Sequence, residues 1–269
     1  MAAVVRRLRP IAHELRLFAV ALQFFTRLPV TLRTFDPEWL NQCARYFPLV
    51  GAVVGGAGAA ALLLASTVWS APLAVIASMA VTAWLTGGFH EDGLADTCDG
   101  LGGAVARERA LEIMKDSRIG TYGALGLAFT LAGKAAVTLA LCRQGLAAAA
   151  VGVGLAHVVS RAMPVILLRG LPYAGDAAHA KAKPLARQVS TACLIAALAI
   201  AGALAASAAL VLPAPRIGGA LVASLAVAVG CARWFRRRIG GFTGDTLGAT
   251  QQWCELAVLL ALAAGLSSS

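Results

Sequence analysis

Charged residues are scarce in this 269-residue chain, at 13%, whereas an ordinary soluble domain carries about 25%. Hydrophobic residues make up 59% of the chain, and the mean hydropathy is +0.77. A soluble fold cannot enclose so much apolar surface, because the fraction that folding buries is limited by chain length. The composition therefore excludes an ordinary soluble domain and predicts an integral membrane protein.

Two further features are missing. No two of the six cysteines form a C-x-x-C pair, so neither a zinc site nor a redox motif is indicated, and we interpret all six as packing residues. We also expect no cleavable signal, because the apolar run Leu17–Phe25 is followed by no small-residue cleavage site. This run is too short to span a bilayer. We expect residues 1–45 to form an interfacial segment, either an amphipathic helix or a re-entrant one.

Seven apolar runs follow, each close to the length that crosses about 30 Å of hydrocarbon, although the last is short. Small residues are frequent within them, which lets membrane helices approach closely. We therefore expect one all-α domain, residues 1–269, with about seven transmembrane helices. The runs lie at about Phe47–Thr67, Pro72–Phe89, Ile119–Cys142, Leu146–Leu168, Val189–Leu212, Ile217–Trp234 and Trp253–Leu266.

The basic residues are distributed unevenly between the loops. With the N-terminus in the cytoplasm, most of the 23 Lys and Arg residues fall in segments 1–46, 90–118, 169–188 and 235–252, and the other side keeps Arg143 and Arg216. This is the pattern of the positive-inside rule. It accounts for the net charge of +10 without a nucleic-acid partner. It predicts a multi-pass protein of a bacterial inner membrane, in contact with lipid, whose polar loops share the cytoplasmic face.

Acidic residues cluster in the stretch Gly87–Gly100, which reads GGFHEDGLADTCDG. Asp92, Asp96 and Asp99 stand at i, i+4 and i+7, so on a helix they share an arc of about 60°. Like charges at this spacing repel each other, and a bound cation removes the repulsion. Oxygen-only ligands favour Mg²⁺ or Mn²⁺, which suits phosphoryl transfer. The stretch predicts a metal-binding helix face, and the alternative is a solvated acidic loop.

Five other polar residues lie near this face or within the apolar runs. His90 is interpreted as a ligand, a base or an interfacial side chain, and Glu91 is expected to be solvated. Lys134 and Arg161 need a partner or a wet cavity inside a membrane, so they either pair with acids, bind phosphate or extend to an interface. His157 is expected to be a satisfied interior histidine.

Two more segments carry polar patterns. Glu108, Glu112 and Asp116 repeat at i, i+4 and i+8, which predicts one helical face, and basic neighbours make an ordinary exposed helix the better interpretation. Asp116 suits a metal, and Arg118 suits a phosphate that it holds with two hydrogen bonds. The Gly-rich stretch Gly240–Gly248 allows backbone N–H groups to approach a phosphate, although such stretches are often only turns.

These segments closely resemble the cobalamin-5′-phosphate synthase family, also called adenosylcobinamide-GDP ribazoletransferase, over nearly the whole chain. Two departures are Glu91, where an apolar residue is usual, and the loop Tyr173–Pro184, which lacks a Gly-rich stretch. The matching segments are Phe24–Pro29, Phe47–Gly51, Gly87–His90, Asp92–Gly100, Leu111–Gly120, Lys134, Ser160-Arg161 and Thr243–Ala249.

The resemblance implies a defined reaction. α-Ribazole, or its 5′-phosphate, joins adenosylcobinamide-GDP, GMP leaves, and Mg²⁺ is required. A homo-oligomer is possible. Together with the patterns above, this predicts catalytic roles for His90, Asp96 and Lys134. It predicts substrate contacts from Arg27, Arg118, Arg161, Thr243, Gly244 and Asp245, and metal ligands at Asp92, Asp96, Asp99 and Asp116.

Two alternatives stay open. A CDP-alcohol phosphatidyltransferase also binds metal through spaced aspartates on membrane helices, but it has an Ala-Arg after the first Asp-Gly, and Asp92-Gly-Leu-Ala-Asp lacks that arginine. A cation-coupled transporter needs acidic residues near the bilayer midplane and paired broken helices, which the sequence does not show.

Overall fold

The computed structural model describes residues 2–32, 34, 36–175 and 189–264, with side chains from residue 11 onward. Lys181, Lys183 and Arg187 of the predicted cytoplasmic segment lie outside these residues, as does Leu266 at the end of the last predicted run. A 3₁₀ turn, Cys43–Tyr46, joins α2 to α3. The helices are α1 Ala2–Phe25, α2 Glu38–Gln42, α3 Phe47–Ala65, α4 Ala71–Thr86, α5 Phe89–Gly102, α6 Arg107–Lys115, α7 Thr121–Gln144, α8 Leu146–Gly170, α9 Thr191–Ala208, α10 Ala214–Ile239 and α11 Gly244–Ala263.

The chain is an all-α integral membrane protein. Among the described residues, five helical segments are long and apolar enough to cross a bilayer, and the pair α4–α5, bent by 89°, makes six if it counts as one span. The seventh predicted run lies within α11, which is not among them. α11 has 20 residues, but it carries the polar side chains of Gln251, Gln252 and Glu255, which lower its hydropathy. The five segments are Glu38–Ala65, Thr121–Gln144, Leu146–Gly170, Thr191–Ala208 and Ala214–Ile239.

α8 and α11 form the centre of the bundle. In the apolar window of α8, 83% of the residues are buried, whereas the other candidate spans are buried to 44% or less. α3 lies directly against α8, and a methyl group at Gly55 would come within 2.9 Å of the Gly154 Cα atom. This contact confirms the expectation that small residues allow close helix packing. The polar residues of α11 are therefore enclosed by protein rather than exposed to lipid.

The N-terminal helix covers one side of this bundle. Leu17, Val20, Ala21 and Phe25 are buried in a hydrophobic cluster with the start of α3 and the end of α8. Their spacing of three and four residues places them on one helical face. That residues 1–45 lie along the membrane interface stays a prediction.

The ends of several helices meet at one end of the bundle. Arg107, at the start of α6, donates from Nε to the Ile239 carbonyl at the end of α10, at 2.8 Å. Arg238 in turn donates from NH1 to the Leu101 carbonyl at the end of α5, at 2.9 Å. Both guanidinium groups cap carbonyls that a helix end leaves without an intrahelical partner. These two contacts lock the loops after α5 and α10 to each other.

Two predicted local boundaries were wrong. The Gly-rich stretch Gly240–Gly248 is only partly a loop, because α11 begins at Gly244. Thr243 caps this helix: its hydroxyl accepts from the Thr246 backbone N–H, and the Thr246 hydroxyl accepts from the Thr243 N–H. In the second acidic cluster, α6 ends at Lys115, so Asp116 follows the helix instead of sharing its face with Glu108 and Glu112.

Candidate active site

Two glycines turn the chain sharply where the acidic stretch begins. Gly87 and Gly88 have φ angles of 70° and 72°, a left-handed conformation that costs glycine little and other residues more. They produce the 89° bend between α4 and α5. The Arg27 side chain lies over this bend, so that a methyl group at Gly87 would be 3.0 Å from its Nε atom. Arg27, a predicted substrate contact, is therefore exposed at the start of the acidic helix.

α5 rests closely on the first turns of α11. A Cβ atom at Gly93 would lie 2.9 Å from the Asp245 carbonyl oxygen, and one at Gly248 would lie 3.3 Å from the His90 carbonyl oxygen. Both close approaches favour glycine, because any side chain at these positions would crowd the neighbouring backbone. They bring Asp245 close enough to Asp92 for the two carboxylates to repel each other. The structure thus joins the predicted Gly-rich element to the acidic helix.

The acidic residues of α5 do share a helix, as predicted. Asp92 is exposed, and Asp96 and Asp99 are half-buried. Asp99, however, is used by the neighbouring helix: its Oδ2 accepts from the Gly120 N–H and its Oδ1 from the Gly123 N–H, both at 2.7 Å. These bonds satisfy donors at the start of α7 and place the negative charge at the positive end of the helix dipole. Asp99 fixes α7 to α5.

Asp116 and Arg118 form an ion pair beside this face. Arg118 donates from NH2 to Asp116 Oδ2 at 2.6 Å and from Nε to Oδ1 at 3.0 Å. The Asp116 carboxylate, through these hydrogen bonds and its charge, raises the pKa of the Arg118 guanidinium. The Arg118 side chain is 87% exposed. Its third nitrogen atom, NH1, is on an exposed side chain, where a phosphate is accessible to it.

A ready-made metal cage is not present. Within the described part of the chain, no three His, Cys, Asp or Glu side chains are grouped so that they hold a metal ion. The predicted set Asp92, Asp96, Asp99 and Asp116 is divided, since Asp99 binds backbone and Asp116 binds Arg118. Mg²⁺ needs only one or two carboxylates when substrate phosphates supply further oxygens. Asp92 and Asp96, one turn apart on α5, have the spacing that such a site needs.

A second polar group lies inside the bundle. The Lys134 ammonium on α7 is 2.5 Å from Glu255 Oε1 on α11 and 3.0 Å from Gln252 Oε1. The other Glu255 oxygen, Oε2, lies 3.1 Å from His157 Nδ1 and accepts from Gln251 at 2.7 Å. Lys134 therefore has the acidic partner that the sequence analysis expected, and His157 is a satisfied interior histidine. These side chains line a small cavity between α4, α5, α7, α8 and α11 that admits water-sized molecules.

Three residues sit deeper than expected. Glu91 was predicted to be solvated, which is wrong: Oε1 accepts from Gln252 at 3.0 Å, and Oε2 is buried with no hydrogen-bond partner among the described residues. Arg161 is only 3% exposed and donates from NH1 to the His157 backbone carbonyl at 3.2 Å, so it does not extend to an interface. His90 is buried and stacks on the Phe25 ring at 5.4 Å.

Comparison with known proteins identifies the family. Residues 17–263, most of the chain, match the model of cobalamin-5-phosphate synthase. The chain belongs to this family. Its relatives include proteins named adenosylcobinamide-GDP ribazoletransferase from Leptothrix cholodnii, 58% identical over 94% of this chain and 97% of that protein, and from Polaromonas naphthalenivorans, 45% identical over 94% and 99%. A relative of the same name from Vibrio cholerae is 41% identical over 98% and 97%. No solved structure matches the chain.

The sequence analysis of this synthase missed Glu255 and the two glutamines before it. One signal was available, because Gln251 and Gln252 directly precede the predicted apolar run and Glu255 lies within it. An acidic residue in such a position needs a partner. The sequence alone did not show that α11 starts nine residues before that run, at Gly244, or that all three side chains lie inside the bundle.

Proposed function

We propose that the chain transfers α-ribazole, or α-ribazole 5′-phosphate, onto adenosylcobinamide-GDP. Membership of the cobalamin-5-phosphate synthase family and the names of its relatives support this reaction. A new P–O bond forms between the α-ribazole oxygen and the cobinamide-linked phosphorus. The bond from that phosphorus to the bridging oxygen breaks, and GMP leaves with the electron pair. The product is adenosylcobalamin or its 5′-phosphate, which closes the nucleotide loop.

The position of two aspartates on α5 supports this proposal most directly. The exposed carboxylate of Asp92 and the half-buried Asp96 lie one turn apart on α5, at the end of the bundle where three loops meet. Asp92 also lies close to Asp245 at the start of α11. Carboxylates so near each other are stabilised by a cation. We assign the catalytic centre to this face.

Mg²⁺ is the proposed cofactor, with Asp92 and Asp96 as its protein ligands. Such an ion neutralises charge on a diphosphate and on the departing GMP. Asp99 and Asp116, which the sequence also predicted as ligands, have other roles in this arrangement. Asp99 holds the start of α7, and Asp116 orients Arg118.

Several groups around this face suit phosphate oxygens. Arg27 and Arg118 offer exposed guanidinium groups that bind phosphate with two parallel hydrogen bonds. The first turn of α11 begins at Gly244, whose exposed position leaves the positive end of the helix dipole accessible. Thr243 and Asp245 flank this glycine, and we propose that Thr243 shapes the turn by capping it. Together these groups bind the diphosphate.

The interior residues act on the site through the fold. Lys134 and Arg161 are almost fully enclosed, and Glu255 is within reach of Lys134 and His157 rather than of the α5 aspartates. His90 lies on the buried side of α5. We propose that these residues position α5 against α8 and α11. The sequence prediction that His90 and Lys134 are catalytic, and that Arg161 contacts substrate, stays a prediction.

We further propose that the site faces the cytoplasm of a bacterial inner membrane and that the chain crosses seven times, with α11 as the seventh crossing. α11 has 20 residues and is therefore about 30 Å long, enough to cross. Crossings by α3, α4–α5, α7, α8, α9, α10 and α11 put the contacts of Arg107 and Arg238 on the side of the N-terminus. Most of the basic residues lie on that side, as the positive-inside rule requires.

The reaction and its residues are tested together by measuring GMP released from adenosylcobinamide-GDP and α-ribazole, with and without Mg²⁺. Asp92→Asn and Asp96→Asn keep side-chain size but remove the charge that holds the ion. Each is expected to lower turnover about 10²-fold or more, the usual cost of losing one transition-state contact. Glu112→Gln is the matched control, since Glu112 is exposed and its pair with Arg109 contributes little.

Three outcomes separate the alternatives. A transporter would release no GMP in this assay. A CDP-alcohol phosphatidyltransferase would release CMP from a CDP-alcohol instead. Wild-type turnover in both aspartate variants, with the same Mg²⁺ requirement, would show that the metal site lies elsewhere.

A further inference from the structure

An exposed aromatic ring stands at the N-terminal end of α5. Phe89 contacts the rings of Phe24, Phe25 and His90 at centroid distances of 5.3, 5.8 and 5.5 Å, yet it remains 41% exposed. The ring is thus fixed along one side and open on the rest. Phe89 stands three residues before Asp92 and seven before Asp96, so it shares their helical face. The exposed part of the Phe89 ring therefore lies on the face of α5 that carries the carboxylates of the proposed site.

A second exposed ring stands at the other end of α5. Tyr122 lies on the backbone of Gly102, where a Cβ atom would be 2.7 Å from the Tyr122 Cγ atom. The ring is 55% exposed, and the next residue, Gly123, donates its N–H to Asp99. Asp99 therefore anchors the chain that carries Tyr122 to the acidic helix. Each end of α5 has one fixed, exposed ring.

The spacing of these rings matches the reaction. Asp96 lies about 10 Å along the helix axis from both Phe89 and Gly102, at 1.5 Å per residue. Phosphoryl transfer places the attacking and the leaving oxygen on opposite sides of the phosphorus. Here both groups carry a planar aromatic base, benzimidazole on α-ribazole and guanine on GMP. A diphosphate held at Asp92 and Asp96 therefore points one base toward each end of α5.

We propose that Phe89 and Tyr122 are the stacking platforms for these two bases, one platform for each substrate. The inference rests on the proposed function for the identity of the bases. Stacking of a base on an aromatic side chain contributes to binding without demanding a particular hydrogen-bond pattern. The exposed Arg27 lies against Gly87, two residues before Phe89, and the exposed Arg118 stands four residues before Tyr122, so each end of α5 also has a basic residue.

The test measures binding of α-ribazole and of GMP separately, by calorimetry on the full-length protein with Mg²⁺, so that no turnover is needed. Phe89→Leu and Tyr122→Leu keep apolar volume but remove the ring. Each is expected to weaken one of the two ligands by about 5- to 150-fold, and the two variants are expected to affect different ligands. Phe89→Tyr and Tyr122→Phe keep a ring and should bind both ligands as the wild type does. Phe129→Leu is the control, because Phe129 is 72% exposed two turns further along α7.

The affinities of the variants for α-ribazole and GMP test the two-platform arrangement. If both leucine variants weaken the same ligand, or if neither weakens any, the two-platform arrangement is wrong. It is also wrong if the ring-retaining variants lose as much affinity as the leucine variants, since the rings then only support packing. A wild-type protein that binds both ligands but releases no GMP in the turnover assay would refute the proposed reaction. It would not contradict the assignment of Phe89 and Tyr122 as stacking platforms.

Discussion

Asp99 and Glu255 show how the surroundings of an acidic residue decide its task. Asp99 belongs to a row of aspartates, but both of its oxygens accept from backbone N–H groups at the start of α7. Glu255 lies in the middle of α11, ten residues after Asp245, and it is the partner of Lys134 and His157. Within the described residues of the interior, two cations, Lys134 and Arg161, are matched by two anions, Glu91 and Glu255. The charges of the bundle interior are therefore balanced.

This balance predicts a coupling between Lys134 and Glu255. Lys134→Met and Glu255→Gln each leave one uncompensated charge in a buried position, which typically costs about 3–5 kcal/mol of unfolding free energy. The double variant restores neutrality and should be more stable than the sum of the single changes indicates. Denaturant unfolding of the four proteins in detergent measures the coupling. Additive losses would mean that the two side chains do not interact.

At the scale of helices, the position of α5 depends on a sharp bend at one end and on a close contact with α11. The Gly87–Gly88 bend turns it away from α4, and Gly93 lets it rest on the backbone of α11 beside Asp245. None of these three glycines contributes a functional group. Their effect is to set where Asp92 and Asp96 lie relative to the start of α11.

Gly93→Ala is expected to disturb this contact. A Cβ atom there would meet the Asp245 Cα and carbonyl oxygen at 3.0 and 2.9 Å, and backbone atoms cannot rotate away. Overpacking of this kind costs about 1–3 kcal/mol, and turnover should fall as α5 moves from α11. Gly56→Ala in α3 is the control, because nothing lies within 4 Å of its added methyl group. Thermal unfolding and GMP release measure both effects, and equal behaviour of the two variants would contradict the close contact.

At the scale of the whole molecule, the contacts of Arg107 and Arg238 gather the ends of α5, α6 and α10 at one end of the bundle. An isolated β-bridge between Tyr173 and Phe242 brings the segment that follows α8 to the same end of the bundle. A site built from these loops can face only one side of the membrane. The distribution of basic residues supports the proposal that this side is the cytoplasmic one.

Cysteine labelling tests this orientation. Ser117→Cys places a thiol in the exposed loop after α6, and Leu210→Cys places one in the exposed turn after α9, on the opposite side. A membrane-impermeant thiol reagent added to intact cells should label Cys at position 210 and reach position 117 only after permeabilisation. The parent protein, with its six native cysteines, gives the background. Labelling of position 117 in intact cells would reverse the proposed orientation.

The sequence by itself determined that this is a helical membrane protein and that Asp92, Asp96 and Asp99 share a helix, because hydropathy and helical spacing are local properties. It also indicated that Lys134 needs an acidic partner, since a buried charge is costly wherever the partner lies. Only the tertiary structure identified that partner as Glu255, 121 positions later in the chain. It alone showed that Asp99 binds α7 and that Glu91 turns inward. These facts depend on which helices lie side by side, and no local pattern along the chain encodes that packing.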